Sequence, residues 1–252
     1  MGDLQSLSLE AVYDSSEYHL VRDLMVPLLA QSKLYCRGVG YFSSGWLRIA
    51  SEGLEELISS GGRARLIMSP ILDEKDWQAI ELGQQARENE MLKKCLHSSV
   101  DEISSSLESN TLNTFAWLIA DELLDVRFAV PRAGFRGGDY HDKVGYFADE
   151  SDNYVAIHGS YNDSIKGTLN GEAFSVFRSW YEGQLPFLDK HVARLNQLWD
   201  DENAQFHTFK LPDAVRQQIV QLRSTDYRPY TTLSGGKIMR ILLRNGESYI
   251  TA

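Results

Sequence analysis

Residues 34–68 alternate between an apolar strand, a helix and a second apolar strand, and this pattern constrains the fold more than any other stretch of the chain. Residues 34–42 are rich in apolar side chains, which is typical of a strand covered on both faces. Serines then offer a cap for a helix with apolar residues at helical spacing, and the pair Gly61-Gly62 ends it. Residues 63–68 form the next strand. Because strand–helix–strand units build parallel sheets, we predict an α/β domain.

The rest of the chain continues this pattern. Residues 73–125 are expected to be mainly helical. The spacing of apolar residues predicts further helices at residues 16–31, 113–124, 186–201 and 212–223. Short apolar runs predict strands at residues 9–13, 126–130, 173–177 and, in the tail, 237–243. Two short strands joined by an acidic turn predict a β-hairpin at residues 140–147 and 153–158.

Composition limits the kind of protein more than its activity. A chain of 252 residues with 43% hydrophobic and 24% charged residues suits one soluble α/β domain, with or without an appendage. Cys36 and Cys95 indicate a reducing compartment without a disulfide framework, and neither has neighbours at zinc-binding spacing. The sequence has no secretory signal and no apolar run of membrane length, so we expect a cytoplasmic protein without a membrane partner.

The net charge of −10 argues against simple non-specific binding of nucleic acid, because such binding depends on cations that neutralise phosphates. The charge is uneven, however, since four cations lie between residues 125 and 143. A local basic site on an acidic body is compatible with a DNA substrate, because the local field matters more than the total charge. The candidate substrate contacts are Arg132, Arg136 and Lys166, which could equally be solvated loop charges.

A cluster of chemically active side chains lies between residues 141 and 172. It comprises His141, Lys143, Ser160, Asn162 and Glu172. His141 and Lys143 are two residues apart, so they project from the same face of a strand. The others lie at strand ends, the usual position of sites in open α/β sheets. An imidazole can attack phosphorus, an ammonium and a carboxamide can hold the phosphate oxygens, and a carboxylate can orient an imidazole.

The spacing of these residues resembles the H-x-K … G-S-x-N … E signature of the phospholipase D superfamily, with Gly159 as its glycine. One departure concerns the Asp that the full motif places after the Lys. Ala148 occupies that position, and Asp149 comes one residue later. Nuclease branches of the family often lack this Asp, so the departure argues against a lipase-type motif more than against the family.

A narrower resemblance rests on the early segment Leu-Tyr-Cys-Arg-Gly-Val-Gly-Tyr-Phe-Ser-Ser-Gly, which begins at residue 34. This segment is similar to the N-terminal phospholipase-D-like nuclease domain of some bacterial DEAD/DEAH helicases and to metal-independent restriction endonucleases. The resemblance covers residues 10–205. It implies an α/β phospholipase-D-like domain, with a mixed central sheet and helices on both faces. We expect this domain at residues 1–224, and an extension or linker to a missing domain, such as a helicase domain of the same longer polypeptide, at residues 225–252.

The resemblance also implies a mechanism without metal or cofactor. Family members bring two motifs together in one site, whereas this sequence has a single His-x-Lys, so we expect a homodimer with one composite site. One His141 attacks phosphorus to form a phosphohistidine, and the other protonates the leaving oxygen. Lys143 and Asn162 hold the phosphate oxygens, and Glu172 orients an imidazole. Ser160 has either a direct role or the simpler role of capping a turn.

Three functions remain open at this point. The first is a DNA endonuclease domain of a restriction or defence system. The second is a non-catalytic module for DNA binding or dimerisation, which the acidic net charge and Ala148 favour. The third is a phospholipid phosphodiesterase, against which the single motif argues. Two neighbours of the motif are assigned structural roles: His158 is out of register with it, and Tyr140 points to the opposite face of its strand.

Overall fold

A computed structural model of the chain describes residues 2–40, 51–69, 101, 109–132, 140–161, 171–211 and 213–229. In this part of the chain the centre is an eight-stranded sheet with strand order β1-β7-β6-β5-β2-β3-β4-β8. The strands are β1 Val12–Asp14, β2 Leu34–Val39, β3 Arg63–Met68, β4 Leu124–Pro131, β5 Lys143–Ala148, β6 Tyr154–Gly159, β7 Ala173–Arg178 and β8 Phe206–Lys210.

The strands β2, β3 and β4 are parallel, and the remaining pairings are antiparallel. The predicted strand–helix–strand unit is confirmed, because β2 pairs with β3 from Leu34↔Arg63 to Val39↔Met68 and a helix at Ser51–Ser59 lies between them in the chain. Both strands are almost continuously buried, as expected for parallel strands with both faces covered.

Helices cover both faces of the sheet, so the predicted architecture is confirmed. They are α1 Val26–Ala30, α2 Ser51–Ser59, α3 Ser109–Ala120, α4 Leu185–Trp199 and α5 Asp213–Gln221. The larger core cluster packs one face of the sheet against α1, α2, α3 and α5, whereas the smaller packs the other face against α4. Successive side chains of β2 pack alternately into the two cores, with Tyr35 in the larger and Cys36 in the smaller.

Several element boundaries differ from their predictions. The helix expected at residues 16–31 is a π-helical segment at Leu20–Met25 followed by α1, and the switch falls just before Pro27, which has no N–H to donate. The helix predicted to end at residue 124 ends at Ala120, because Leu124 already pairs in the sheet. Strand β8 was not predicted, since its polar and aromatic residues become a strand only by pairing with the edge of β4.

The predicted hairpin is confirmed as the antiparallel pair β5–β6, and Asp149 fixes its turn. The Asp149 carboxylate accepts hydrogen bonds from the backbone N–H groups of Ser151 (2.8 Å), Asn153 (3.0 Å) and Leu4 (3.0 Å), and from the Asn153 side chain (2.9 Å). Asp149 lies six residues beyond Lys143, or about 20 Å along an extended strand. The Asp that follows the motif therefore stabilises the far end of the hairpin and has no role at His141.

The first residues of the tail contact the domain. The Asn113 side chain on α3 accepts a hydrogen bond from the backbone N–H of Ser224 (2.8 Å), and the Trp117 indole donates to the Thr225 carbonyl (3.3 Å). Arg228 forms an ion pair with Asp121. The predicted boundary at residue 224 stays a prediction, and the predicted strand at residues 237–243 lies outside the described part of the chain.

Replacement of Asp149 by Ala tests its role in the turn. We expect the free energy of unfolding at pH 7 to fall by roughly 2–3 kcal/mol, because three backbone N–H groups lose their acceptor. Urea denaturation measures this loss. The matched control is Ser151→Ala, at an exposed position of the same turn. An equal loss in the two variants would contradict the assignment.

The same carboxylate makes part of the stability pH-dependent. Burial raises the pKa of Asp149, but its hydrogen bonds outweigh burial and hold that pKa below the ordinary value. A carboxyl with a lowered folded-state pKa contributes stability above its unfolded-state pKa and loses it as the pH falls through the folded-state value. The difference in unfolding free energy between the wild type and Asp149→Asn should therefore narrow between pH 7 and about pH 3.

Candidate active site at the strand ends

The predicted catalytic residues that the structure describes meet at one edge of the sheet. The register brings Lys143 at the start of β5 beside Val39 at the end of β2, and Gly159 at the end of β6 beside Phe174 near the start of β7. A pocket of about 440 Å³ opens at this edge. The described residues that line it are His141, Asp142, Lys143, His158, Gly159, Ser160 and Glu172.

His141 and Lys143 are in direct contact. The Lys143 Nζ lies 3.0 Å from His141 Nδ1 and 3.5 Å from Nε2. Both distances are short, so the ammonium lies against the imidazole ring, closest to Nδ1. The strand begins at Lys143, not at residue 140 as predicted, so His141 lies just before it. The two side chains nevertheless meet, as the predicted shared face requires.

A glycine on β2's continuation makes room for the imidazole. A Cβ at Gly40 would lie 2.2 Å from His141 Cδ2 and 2.9 Å from Nε2, far inside van der Waals contact. Any larger residue at this position would therefore displace the imidazole. No local pattern indicates this role, because the contact joins two segments about a hundred residues apart.

The charge of Lys143 is set by its surroundings. Burial lowers the pKa of Lys143, the carboxylate of Glu172 raises it, the guanidinium of Arg37 lowers it and Asp142 raises it; the net direction is downward. The ammonium at this edge is therefore lost at a lower pH than an ordinary lysine would lose it. A partly buried cation with few waters around it is well suited to hold an anion.

Gly159 and Ser160 tie the end of β6 to the start of β7. The Ser160 N–H donates to the Ala173 carbonyl (3.1 Å), and the Ser160 hydroxyl accepts a hydrogen bond from the Ala173 N–H (3.2 Å). A Cβ at Gly159 would lie 1.9 Å from the Ala173 carbonyl oxygen, so only glycine allows this approach. The hydroxyl of Ser160 thus has a structural contact, and it still carries a proton that it can donate into the pocket.

Glu172 lies one residue before β7 and is buried, with 8% of its surface exposed. Its backbone is held on both sides by Ser15, whose N–H donates to the Glu172 carbonyl (2.9 Å) and whose hydroxyl accepts from the Glu172 N–H (2.9 Å). The carboxylate lines the pocket. A fixed, buried carboxylate is the arrangement that orienting an imidazole requires.

The middle residue of the His-x-Lys segment anchors it to α4. Asp142 accepts two hydrogen bonds from Arg194, one from Nε (2.5 Å) and one from Nη2 (3.0 Å). This bidentate pair is of the strong, geometrically specific kind. Tyr140, on the other side of His141, is fully buried against α4, which confirms its predicted structural role.

The predicted substrate contacts receive less support. Arg132 donates to the Asn203 carbonyl (2.7 Å) and to the carbonyl (2.6 Å) and carboxylate (2.9 Å) of Asp201, so its guanidinium joins β4 to the segment before β8. It is not among the described residues that line the pocket. The other two predicted contacts and the predicted phosphate ligand lie outside the described residues; they are Arg136, Lys166 and Asn162.

His158 lines the pocket, although it was predicted to have a structural role. It faces the α4 side of the sheet, where its ring centroid lies 4.9 Å from that of His191. Because the pocket opens at the strand ends, side chains from both faces reach it, and His158 lines it beside Lys143. Its position out of register with the motif predicted a structural role, but the register alone could not show that the pocket extends to this side chain.

The described residues contain neither a metal-binding cluster nor a membrane-spanning helix. Within those ranges, no group of three or more His, Cys, Asp or Glu side chains is placed to hold a metal ion. None of the helices described there is long and apolar enough to cross a membrane.

No protein-family profile matches the sequence, and no curated protein matches it. Among solved structures, the chain is similar to Nuc of Salmonella typhimurium, a phospholipase D family member, at 15% identity, with 79% of this chain and 95% of that chain covered and a TM-score of 0.42. Phosphatidylserine synthase of Haemophilus influenzae Rd KW20 gives 17% identity, 82% and 43% coverage and a TM-score of 0.44. NucT of Helicobacter pylori gives 13% identity, 72% and 94% coverage and a TM-score of 0.39.

These similarities concern the fold. An ammonium, an imidazole, a hydroxyl and a buried carboxylate around one open pocket suit the binding of a phosphate group.

The Asp142–Arg194 pair should support anion binding by holding the segment of His141 and Lys143. We expect Asp142→Asn and Arg194→Met each to weaken binding of inorganic phosphate roughly threefold to tenfold. The double variant should bind phosphate as tightly as the single variant with the lower affinity, because both substitutions break the same ion pair. Calorimetric titration measures these affinities. Asp189→Asn, at an exposed position of α4, is the control. Additive losses would show that the two residues act separately.

Proposed function

We propose that the chain is a metal-independent phosphodiesterase of the phospholipase D type, and most specifically a DNA endonuclease domain. The observation that carries this proposal is the contact between His141 and Lys143 in a pocket that Ser160 and buried Glu172 also line. The sequence motif predicted this set of residues, and the described part of the chain brings four of its five members to one edge. Asn162, the fifth, follows Tyr161 directly in the sequence.

Binding of the phosphate prepares the nucleophile. In the structure the Lys143 ammonium is engaged with His141 Nδ1. An anionic phosphodiester competes for that ammonium, because its oxygens are stronger acceptors than a neutral imidazole nitrogen. The imidazole is then released, and Glu172 accepts its N–H and selects the tautomer whose other nitrogen carries the free electron pair.

The reaction then proceeds in two displacements. In the first, a nitrogen of one His141 forms a bond to phosphorus, the bond to the leaving oxygen breaks, and a second imidazole gives that oxygen a proton. In the second, the same imidazole takes a proton from water, the water oxygen bonds to phosphorus and the P–N bond breaks. The sum is a diester plus water giving a monoester and an alcohol. Lys143 and Asn162 stabilise the oxygens in both steps.

The second imidazole comes from a second copy of the chain. The sequence contains a single His-x-Lys, whereas the two displacements require one nucleophile and one acid. A two-fold symmetric dimer supplies both when the two pockets face each other. In this arrangement each composite site contains two copies of His141, Lys143 and Asn162.

The family resemblance of residues 34–45 and of the motif is the basis for proposing DNA as the substrate. The same resemblance supports a role in restriction or defence and attachment to a helicase domain. A non-catalytic DNA-binding or dimerisation module is the second candidate. The net charge of −10 favours it. The pairing of Arg132 with Asp201 leaves this cation less available to a DNA phosphate, which favours the dimerisation form of this candidate.

Cleavage of plasmid and single-stranded DNA in excess EDTA tests the assignment. We expect the wild type to cut and His141→Ala to lose roughly three orders of magnitude in rate or more, because the nucleophile is gone. His207→Ala is the control, since His207 contacts Asp201 on β8's side of the sheet and does not line the pocket. Cutting that needs Mg²⁺, or that survives in His141→Ala, would sink the proposal. Binding without cutting would favour the second candidate.

The composite site makes a separate prediction for mixed dimers. Wild-type and His141→Ala chains are co-refolded at varying ratios, and activity is measured against the wild-type fraction. A site that needs both imidazoles is active only in pure wild-type dimers, so the activity should fall as the square of that fraction. A linear fall would show that each chain works alone.

A further inference from the structure

A buried arginine lies on the face of the sheet that carries the site. Arg37 is in the middle of β2 and has 0% of its surface exposed. It alternates with Tyr35 and Val39, which belong to the larger apolar core. An arginine remains protonated in proteins, so a full positive charge is fixed within this core. Such burial is unfavourable unless the charge is well placed, which calls for an explanation.

The neighbouring strand β5 has a glycine at the position where the Arg37 side chain crosses it. Arg37 pairs across the sheet with Gly145, which is two residues from Lys143 and on the same face. A Cβ at Gly145 would lie 3.1 Å from Arg37 Cδ and 3.3 Å from Ile157 Cγ1. The absence of a side chain at this position therefore leaves a path across β5 toward β6 and β7.

The far end of Arg37 contacts the two segments that carry the rest of the motif. Its Nη2 donates a hydrogen bond to the Tyr161 carbonyl (3.1 Å), and Tyr161 stands between Ser160 and Asn162 in the chain. Its guanidinium carbon lies 5.2 Å from the centroid of the Phe174 ring, two residues beyond Glu172. One side chain thus connects β2 with both segments.

From these contacts we propose that Arg37 is a positioning residue of the site: it holds the backbone at Tyr161, directly after Ser160, and supplies a fixed positive field beneath the phosphate pocket. This inference rests on the proposed function for its substrate class. Its two parts are separable, since the hydrogen bond depends on the guanidinium geometry and the field depends only on charge.

The field has a measurable consequence at Lys143. The groups that act on this ammonium are Glu172 from β7, Arg37 from β2 and the adjacent Asp142 and His141. Burial lowers the pKa of Lys143 most, and Arg37 lowers it further, whereas the two carboxylates oppose them. Phosphate affinity falls as Lys143 loses its proton, so a plot of affinity against pH has a descending alkaline limb. Loss of the charge at residue 37 should move that limb to higher pH.

Three variants separate the two parts, and binding of inorganic phosphate is followed by calorimetry from neutral to alkaline pH. For Arg37→Met, we expect a loss of affinity of about tenfold or more and a limb shifted upward. For Arg37→Lys, which keeps the charge without the guanidinium, we expect weaker binding with the limb near its wild-type position. For Gly145→Ala, which presses on an intact Arg37, we expect a smaller loss of about threefold. Arg127→Met removes an arginine from the opposite face of the sheet as the control.

The outcomes distinguish this inference from the assigned activity. If Arg37→Met folds and binds phosphate with wild-type affinity and wild-type pH dependence, the proposed role of Arg37 is wrong, and the proposed activity is unaffected. If Arg37→Met does not fold, the other two variants decide, and wild-type affinity in both would overturn it equally. A wild-type chain that binds phosphate with this limb and cuts no diester would defeat the hydrolytic assignment and leave the role of Arg37 in place.

Discussion

The antiparallel pairing of β2 with β5 is the constraint on which the rest of the molecule depends. It joins the half of the sheet that contains β3, β4 and β8 to the half that contains β6, β7 and β1. Its register runs from Leu34↔Ala148 to Val39↔Lys143. Because side chains alternate, a slip of one residue would turn Lys143 toward α4 and away from Glu172. The same pairing places Gly40 against His141, so one register determines both the core packing and the assembly of the pocket.

Three charged side chains are buried in the described part of the chain. Asp149 is satisfied by backbone donors at the hairpin turn, whereas Arg37 and Glu172, which are 0% and 8% exposed, lie near the pocket. Burial of a charge opposes folding, and replacement by a well-packed apolar residue is often neutral or stabilising. Their position under a cluster of polar groups therefore points to function. Charges fixed in a medium of low polarity act strongly on a bound anion and need no rearrangement when it reacts.

The two ends of the β5–β6 hairpin have different tasks. At the turn, Asp149 collects backbone donors from the hairpin and from Leu4, which ties the N-terminal segment to the sheet. At the open end, polar side chains of both strands line the pocket. The antiparallel pairing keeps these ends about 20 Å apart, so stability and chemistry are served by separate residues.

The sequence by itself determined the local units, the strand–helix–strand of residues 34–68 and the hairpin, because each depends on alternation or spacing over a few residues. The motif resemblance predicted the set of His141, Lys143, Ser160 and Glu172, and these four residues line one pocket. Only the tertiary structure decided which strands are neighbours. Residues 206–210 form a strand because they pair with β4, and Arg132 forms an ion pair with Asp201. His158 lines the pocket, and the Arg37 side chain passes over Gly145. These contacts join residues far apart in the chain. No local pattern encodes them, because side-chain periodicity fixes the face on which a residue lies and leaves its partner open.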